Sequence, residues 1–250
     1  MSGHSKWSKV KRFKGAIDTK RGALFSKLSK EISIAAKTGG DPSANPRLRS
    51  AILAARSQSM PNDNVERAIK RGTGEDAEAQ HFEEIVYEGY APGGVAVIVE
   101  AATDNKNRTA AELRSIFSKN HGNLAASGSV SYMFHKKGQI SVPRAAIDEE
   151  RLFELALEAG ADELTTEEDQ YLITTSHDQL YAVAEALKHA GVTIDGQKFT
   201  FIPDTTVPVA DEATALQVLR LCDSLEDDDD VQNVYSNLDI PDELLAKLPA

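Results

Sequence analysis

The chain has 250 residues, a formal net charge of −11 and a single cysteine, Cys222. That length accommodates two or three small domains with cores of their own. A lone thiol excludes an internal disulfide framework and fits a reducing compartment. No apolar run approaches the roughly 18 residues of a membrane span, and residues 1–14 are basic without the apolar stretch of a secretory signal, so a cytoplasmic location is expected. The charge is unevenly divided: residues 1–71 hold sixteen Lys and Arg against five Asp and Glu, a net +11, which leaves −22 on the other 179. A basic head on an acidic body points to an anionic polymer as the partner of the head.

Residues 1–19 read as a basic arm in which Lys6, Lys9, Lys11, Arg12 and Lys14 surround Trp7, Val10 and Phe13. Such cations neutralise phosphates while an aromatic ring stacks on an unpaired base, and arms of this kind often order only on binding. Residues 20–72 read as three helices. The first places Phe25, Leu28, Ile32, Ala35 and Ala36 at helical spacing, with Lys27, Lys30 and Lys37 on the opposite side, and ends at Gly39-Gly40. In the second, Asn45 caps and Pro46 takes the first position; Leu48, Ile52 and Ala55 face inward, flanked by Arg47, Arg49 and Arg56. The third follows Pro61, with Asp63 and Glu66 spaced as a capping-box pair. Val65, Ala68 and Ile69 face inward there, and Arg67, Lys70 and Arg71 face out. A single charged face is commonly just solvated. Three in succession, all of one sign, cost stability by self-repulsion and suggest a polyanionic partner.

After an acidic linker at residues 72–76 the pattern changes. Strands are predicted over 84–90 and 95–102, joined by a turn at Ala91-Pro92-Gly93-Gly94, then a helix over 107–120 with Leu113, Ile116 and Phe117 inward. Val130, Tyr132 and Phe134 alternate as a strand, and Lys136-Lys137-Gly138 reads as a turn into residues 139–142. Helices over 148–159 and 177–190 flank a strand at 170–175, and Asp195-Gly196 within residues 192–202 is a hairpin signal. A helix over 211–225, a strand over 231–237 and a short helix after Pro241 complete the pattern. This order, unlike a βαβα series, indicates an α+β fold.

Gly3-His4-Ser5-Lys6-Trp7, Lys20-Arg21, Leu24-Phe25-Ser26-Lys27-Leu28, Gly39-Gly40-Asp41-Pro42, Arg47-Leu48-Arg49 and the run from Met60 through Arg71 closely resemble the YebC/PmpR family. Thr103-Asp104-Asn105-Lys106-Asn107-Arg108-Thr109 and Val234-Tyr235-Ser236-Asn237-Leu238 are similar to its later signatures, so the likeness spans nearly the whole chain. The resemblance implies an N-terminal three-helix bundle followed by two ferredoxin-like α/β domains, the third inserted in the second. The boundaries implied are an arm at 1–19, a helical domain at 20–80, a middle domain at 81–135 plus 207–240, an inserted domain at 136–206 and a tail at 241–250. Members are described as DNA-binding transcriptional regulators, and some are similar to ribosome-associated translation factors. The function expected is therefore non-enzymatic, nucleic-acid-binding regulation of gene expression. DNA and ribosomal RNA both stand as targets, the ribosome as a further partner, and a protein-interaction module without nucleic acid as the alternative.

The residues expected to contact nucleic acid are Lys6, Trp7, Lys9, Lys11, Arg12, Lys14, Lys20, Arg21, Lys27, Lys30, Arg47, Arg49, Arg56, Arg67, Lys70 and Arg71. Lys106 and Arg108 join them at a helix start where free amides suit either a phosphate or a side-chain cap. No catalytic residue, metal site or cofactor is expected. The six histidines are scattered, residues 191–196 lack the Lys-Ser/Thr of a phosphate loop, and Cys222 shares an apolar helix face. Glu83, Glu84, Glu88 and the acidic run at 226–230 read as solvated.

Overall fold

The computed structural model describes residues 21–76 and 81–245. They divide into two compact units, one formed by the chain up to His135 and from Ile202 onward, the other by Lys136–Phe201. The order begins with α1 (Arg21–Ala36), α2 (Pro46–Ser57) and α3 (Asn62–Thr73), followed by β1 (Glu83–Tyr90), β2 (Ala96–Thr103), α4 (Lys106–Lys119) and β3 (Asn123–Leu124). Next come β4 (Phe134–Pro143), α5 (Glu149–Glu158), β5 (Glu163–Thr166), β6 (Gln170–Ser176), α6 (Leu180–His189) and β7 (Gly196–Pro203). The chain then adds β8 (Val207–Pro208), α7 (Glu212–Glu226), β9 (Val231–Ser236), β10 (Leu238–Asp239) and α8 (Asp242–Leu245). The fold is α+β.

Local chemistry accounts for the bundle. Asn45 is extended, its side chain accepts from the Leu48 amide at 3.0 Å, and Pro46 fills a position that needs no donor. The Asn45 amide nitrogen also donates to the carbonyls of Ala35 and Gly39, both at 2.8 Å, which ties the end of α1 to the start of α2. Ile32, Ala35, Leu48, Ile52, Val65 and Ala68 close the core. Two expectations fail here. Gly72 belongs to α3, where a Cβ would stand 2.2 Å from the Ser33 carbonyl oxygen, and the helix ends two residues later on left-handed Gly74. The capping box does not form: Pro61 occupies the cap position, and Asp63 lies in the first turn, where it favours the positive end of the helix dipole.

In the first unit, β1 and β2 pair antiparallel from Glu83↔Thr103 to Tyr90↔Ala96 within a sheet of order β3-β1-β2-β9. α4 and α7 cover one face, where Val97, Val99, Leu113, Phe117, Val218, Leu219, Cys222 and Val234 share a core. β2 is buried on both sides, and on its second face Ala102 joins Phe82 and Ile34 of α1 in a small apolar cluster. The head therefore packs directly on the sheet.

The second unit is a β-α-β-β-α-β arrangement with sheet order β5-β6-β4-β7, the ferredoxin-like pattern. Ile140, Val142, Ile173, Leu152, Val183 and Leu187 fill the space between its sheet and helices. Three sequence expectations are corrected here. Lys136-Lys137-Gly138 is not a turn but the middle of β4; Gly138 is there because a Cβ would stand 2.4 Å from Thr175 Oγ1 and 2.7 Å from Leu180 Cβ. Ser131–Met133, expected as strand, is a 3-10 turn. Asp195-Gly196 makes no hairpin, since the Asp195 amide donates to Ser141 in β4 and Gly196 opens β7 beside that strand. The short strand β5, whose one apolar residue is Leu164, was not anticipated.

Candidate nucleic-acid interface

Of the residues expected to bind, Lys6, Trp7, Lys9, Lys11, Arg12, Lys14 and Lys20 lie outside the described residues, as does the side chain of Arg21. The others fall into two groups.

The first group holds the protein to itself. The lysine side of α1 faces the α/β body, and Lys30 is buried. Lys27 donates to the Glu226 carbonyl, and Lys37 to the Phe82 carbonyl at 2.5 Å. Lys30 donates to the Asp229 carbonyl at 2.8 Å and to Asp230 Oδ1 at 2.7 Å. Cations thus sit at the carboxyl end of α7, where unsatisfied carbonyls and the helix dipole favour them.

Asp230 is the hub. It was expected to be solvated as the last of an acidic run, yet it is 4% exposed. Its Oδ2 accepts from Arg108 at 2.8 Å, Thr103 Oγ1 at 3.0 Å and Thr109 Oγ1 at 2.7 Å. Burial alone would push its pKa up; the hydrogen bonds from Lys30, Arg108 and Thr109 outweigh this and hold it well below the usual carboxylate range. A register shift between Glu100 and Ala101 in the pairing with β9 lies beside it, and the Asp230 carbonyl accepts from the Ala102 amide at 2.7 Å.

The start of α4 completes this network. Asn105 caps the helix by accepting from the Arg108 amide at 3.1 Å, and its own amide donates to Thr103 Oγ1 at 2.9 Å. Arg108 bonds Asp104 at 2.9 Å as well as Asp230, while Lys106 pairs with Glu83 at 2.6 Å. Arg47 bridges Glu31 on α1 and Glu84 on β1. Glu112, Asp228 and Asp230 come close together, but the charge of Asp230 is already met by two cations, which leaves a poor set of ligands for a metal ion.

The second group consists of Arg49 and Arg56 on α2 with Arg67, Lys70 and Arg71 on α3. None of these five makes an ion pair among the described residues. Arg67, Lys70 and Arg71 share one face by their i, i+3, i+4 spacing, while Val65 and Ala68 occupy the buried one. On α2, Leu53 is exposed between Arg49 and Arg56. Arg67 also donates to the Asp63 carbonyl at 3.2 Å and to Asn64, bonds local to its own helix.

Sequence reasoning missed Asp230, Thr109 and the buried acid Glu88. The Glu88 carboxylate accepts from the amides of Gly128, Val130 and Ser131 at 2.7, 2.6 and 2.9 Å. Burial raises its pKa, and these backbone bonds more than reverse that. The available signal for Asp230 was its place: the last acid before a strand, in a chain whose Thr103–Thr109 stretch offers hydroxyls and an arginine.

A helical head latched by buried charge to a sheet-and-helix body, with a second α/β unit in the same chain, defines a class of α+β proteins. The profile of the TACO1/YebC protein N-terminal domain matches residues 5–75, and that of the TACO1/YebC second and third domain matches residues 82–238. The chain belongs to the TACO1/YebC family, the one its motifs resemble. A relative from Syntrophus aciditrophicus, named a probable transcriptional regulatory protein, is 53% identical with full coverage of both chains. One of the same name from Treponema pallidum is 55% identical over 98% of this chain and all of the relative. The crystal structure of a conserved hypothetical protein, Aq1575, from Aquifex aeolicus is 49% identical and superposes with a TM-score of 0.83, covering 90% of this chain and 93% of that one. No helix among the described residues is long and apolar enough to cross a membrane.

Proposed function

We propose that the protein is a non-enzymatic, cytoplasmic regulator of gene expression that binds nucleic acid through those cations of α2 and α3 that make no ion pair among the described residues, together with the basic stretch preceding α1. The observation that carries this reading is the division of labour among the head's cations. Lys27, Lys30 and Arg47 are engaged by the body, while Arg49, Arg56, Arg67, Lys70 and Arg71 make no ion pair among the described residues. Unpaired like charges on one small bundle repel each other, and a phosphate backbone relieves that repulsion. The acidic body repels the same polymer and so turns the head toward it. The name shared by the relatives supports a transcriptional role on DNA.

The test is affinity for DNA and RNA duplexes as a function of salt. With about 6 to 10 phosphates neutralised, affinity falls by ~10³ to 10⁵ between 50 and 200 mM salt. Arg49→Gln, Arg56→Gln and Lys70→Gln each lower the slope of log affinity against log salt by about one unit. A flat salt response refutes the proposal and leaves a protein-interaction module. Crosslinking from cells then identifies the target, promoter DNA for transcription or ribosomal RNA for translation.

A further inference from the structure

A groove of about 520 Å³ opens where α1 and α3 meet the start of α4. This is within the ~300–1,000 Å³ range of small-ligand sites. The half-buried Phe25 lines it above the buried Met60 and Phe82, polar and charged side chains make up most of the rest, and Arg67 and Arg71 stand along the α3 side. Its charges have unequal standing. Lys30 and Arg108 are neutralised by Asp230 and Asp104, whereas Arg67 and Arg71 face no carboxylate within ion-pair distance among the described residues. The Arg71 guanidinium instead lies 5.7 Å from the centre of the Phe82 ring, and the Lys30 ammonium 5.3 Å from it. Asn64 and Asp229 add polar atoms to the lining.

A pocket with an aromatic side chain and two guanidinium groups that face no carboxylate suits a flat ring joined to a phosphate, because the guanidinium fork matches phosphate oxygens two at a time. An intact duplex offers its phosphates but keeps its bases stacked inside. We propose that this groove takes one unpaired nucleotide of a bound strand, its phosphate on Arg67 and Arg71 and its base against Phe25, Met60 and Phe82. The inference rests on the nucleic-acid reading above and narrows it: the protein favours strands that carry a bulged or single-stranded nucleotide. The free cations of α2 supply general attraction, and the groove supplies the preference.

The experiment uses the full chain and fluorescently labelled hairpins, in DNA and in RNA, identical except for one bulged nucleotide. Fluorescence anisotropy is expected to show the bulged hairpin bound about tenfold more tightly, the scale of one base stacked on an aromatic surface. Arg71→Gln and Phe25→Leu are expected to bring the two hairpins within about twofold of each other. Arg71→Lys keeps the charge but loses the fork, and should lose the preference for the bulged hairpin. Arg71 makes no ion pair among the described residues, so its variants keep the test open should Phe25→Leu unfold. Equal affinity for both hairpins in the intact chain, or a preference that survives Arg71→Gln, overturns the groove assignment while leaving the cationic face in place. Failure to bind either hairpin overturns both readings.

Discussion

Asp230→Asn probes the latch between head and body. The substitution keeps the shape of the side chain and removes its charge. Lys30, whose side chain is 11% exposed, would then have the Asp229 carbonyl as its remaining strong acceptor. Arg108, 44% exposed, would keep Asp104 and much of its water. Removing one member of a buried ion pair costs about 3–5 kcal/mol, chiefly because the other is left buried and unpaired. The lower end applies, since an amide oxygen still accepts from Thr103 and Thr109 and Arg108 is half in water. The expected loss is about 3 kcal/mol, equivalent to a fall in Tm of roughly 6–12 °C for a chain of this size. Urea titration followed by circular dichroism measures it. Adding Lys30→Met to Asp230→Asn removes the stranded ammonium, so the double variant should be destabilised by clearly less than the sum of the two single changes. A loss below about 1 kcal/mol, as for an exposed surface pair, would refute the argument that this network holds the head in place.

The remaining predictions concern acid stability and packing. Asp230 and Glu88 both have folded pKa values below their ordinary ones. Their contribution is therefore complete above the ordinary carboxylate range and is lost as pH falls through that range toward the folded values. Urea midpoints measured from pH 7 to pH 3 should decline, and Asp230→Asn should flatten the decline. Gly72→Ala should cost about 1–3 kcal/mol, because the new methyl lies 2.2 Å from the Ser33 carbonyl oxygen, which is backbone and has little room to give. Thermal melting of that variant against the parent tests it; an unchanged Tm would mean that α1 and α3 separate more easily than their contact suggests.

Much of the head was legible because its signals are local. Asn45 and Pro46 mark a helix start by backbone chemistry confined to four residues, and the spacing of Val65 and Ala68 fixes which side of α3 faces inward and where Arg67, Lys70 and Arg71 emerge. The family motifs, concentrated in the same stretch, were legible for a similar reason. Lys27, Lys30 and Lys37 show where this reasoning stops. Periodicity placed them opposite the apolar stripe of α1, but could not say whether that opposite side meets water or another layer. It meets β2 and the end of α7.

The amino-acid sequence alone determined the helices of the head, the α+β class and the division into a cationic head and an anionic body, since each follows from residue type and short-range spacing. Which charges remain available for a partner was decided by tertiary structure. Lys30 and Asp230 are 200 positions apart, and only the packing of α1 against the end of α7 makes one the counterion of the other. An ion pair depends on distance and burial, and neither can be read from a charge's place along the chain.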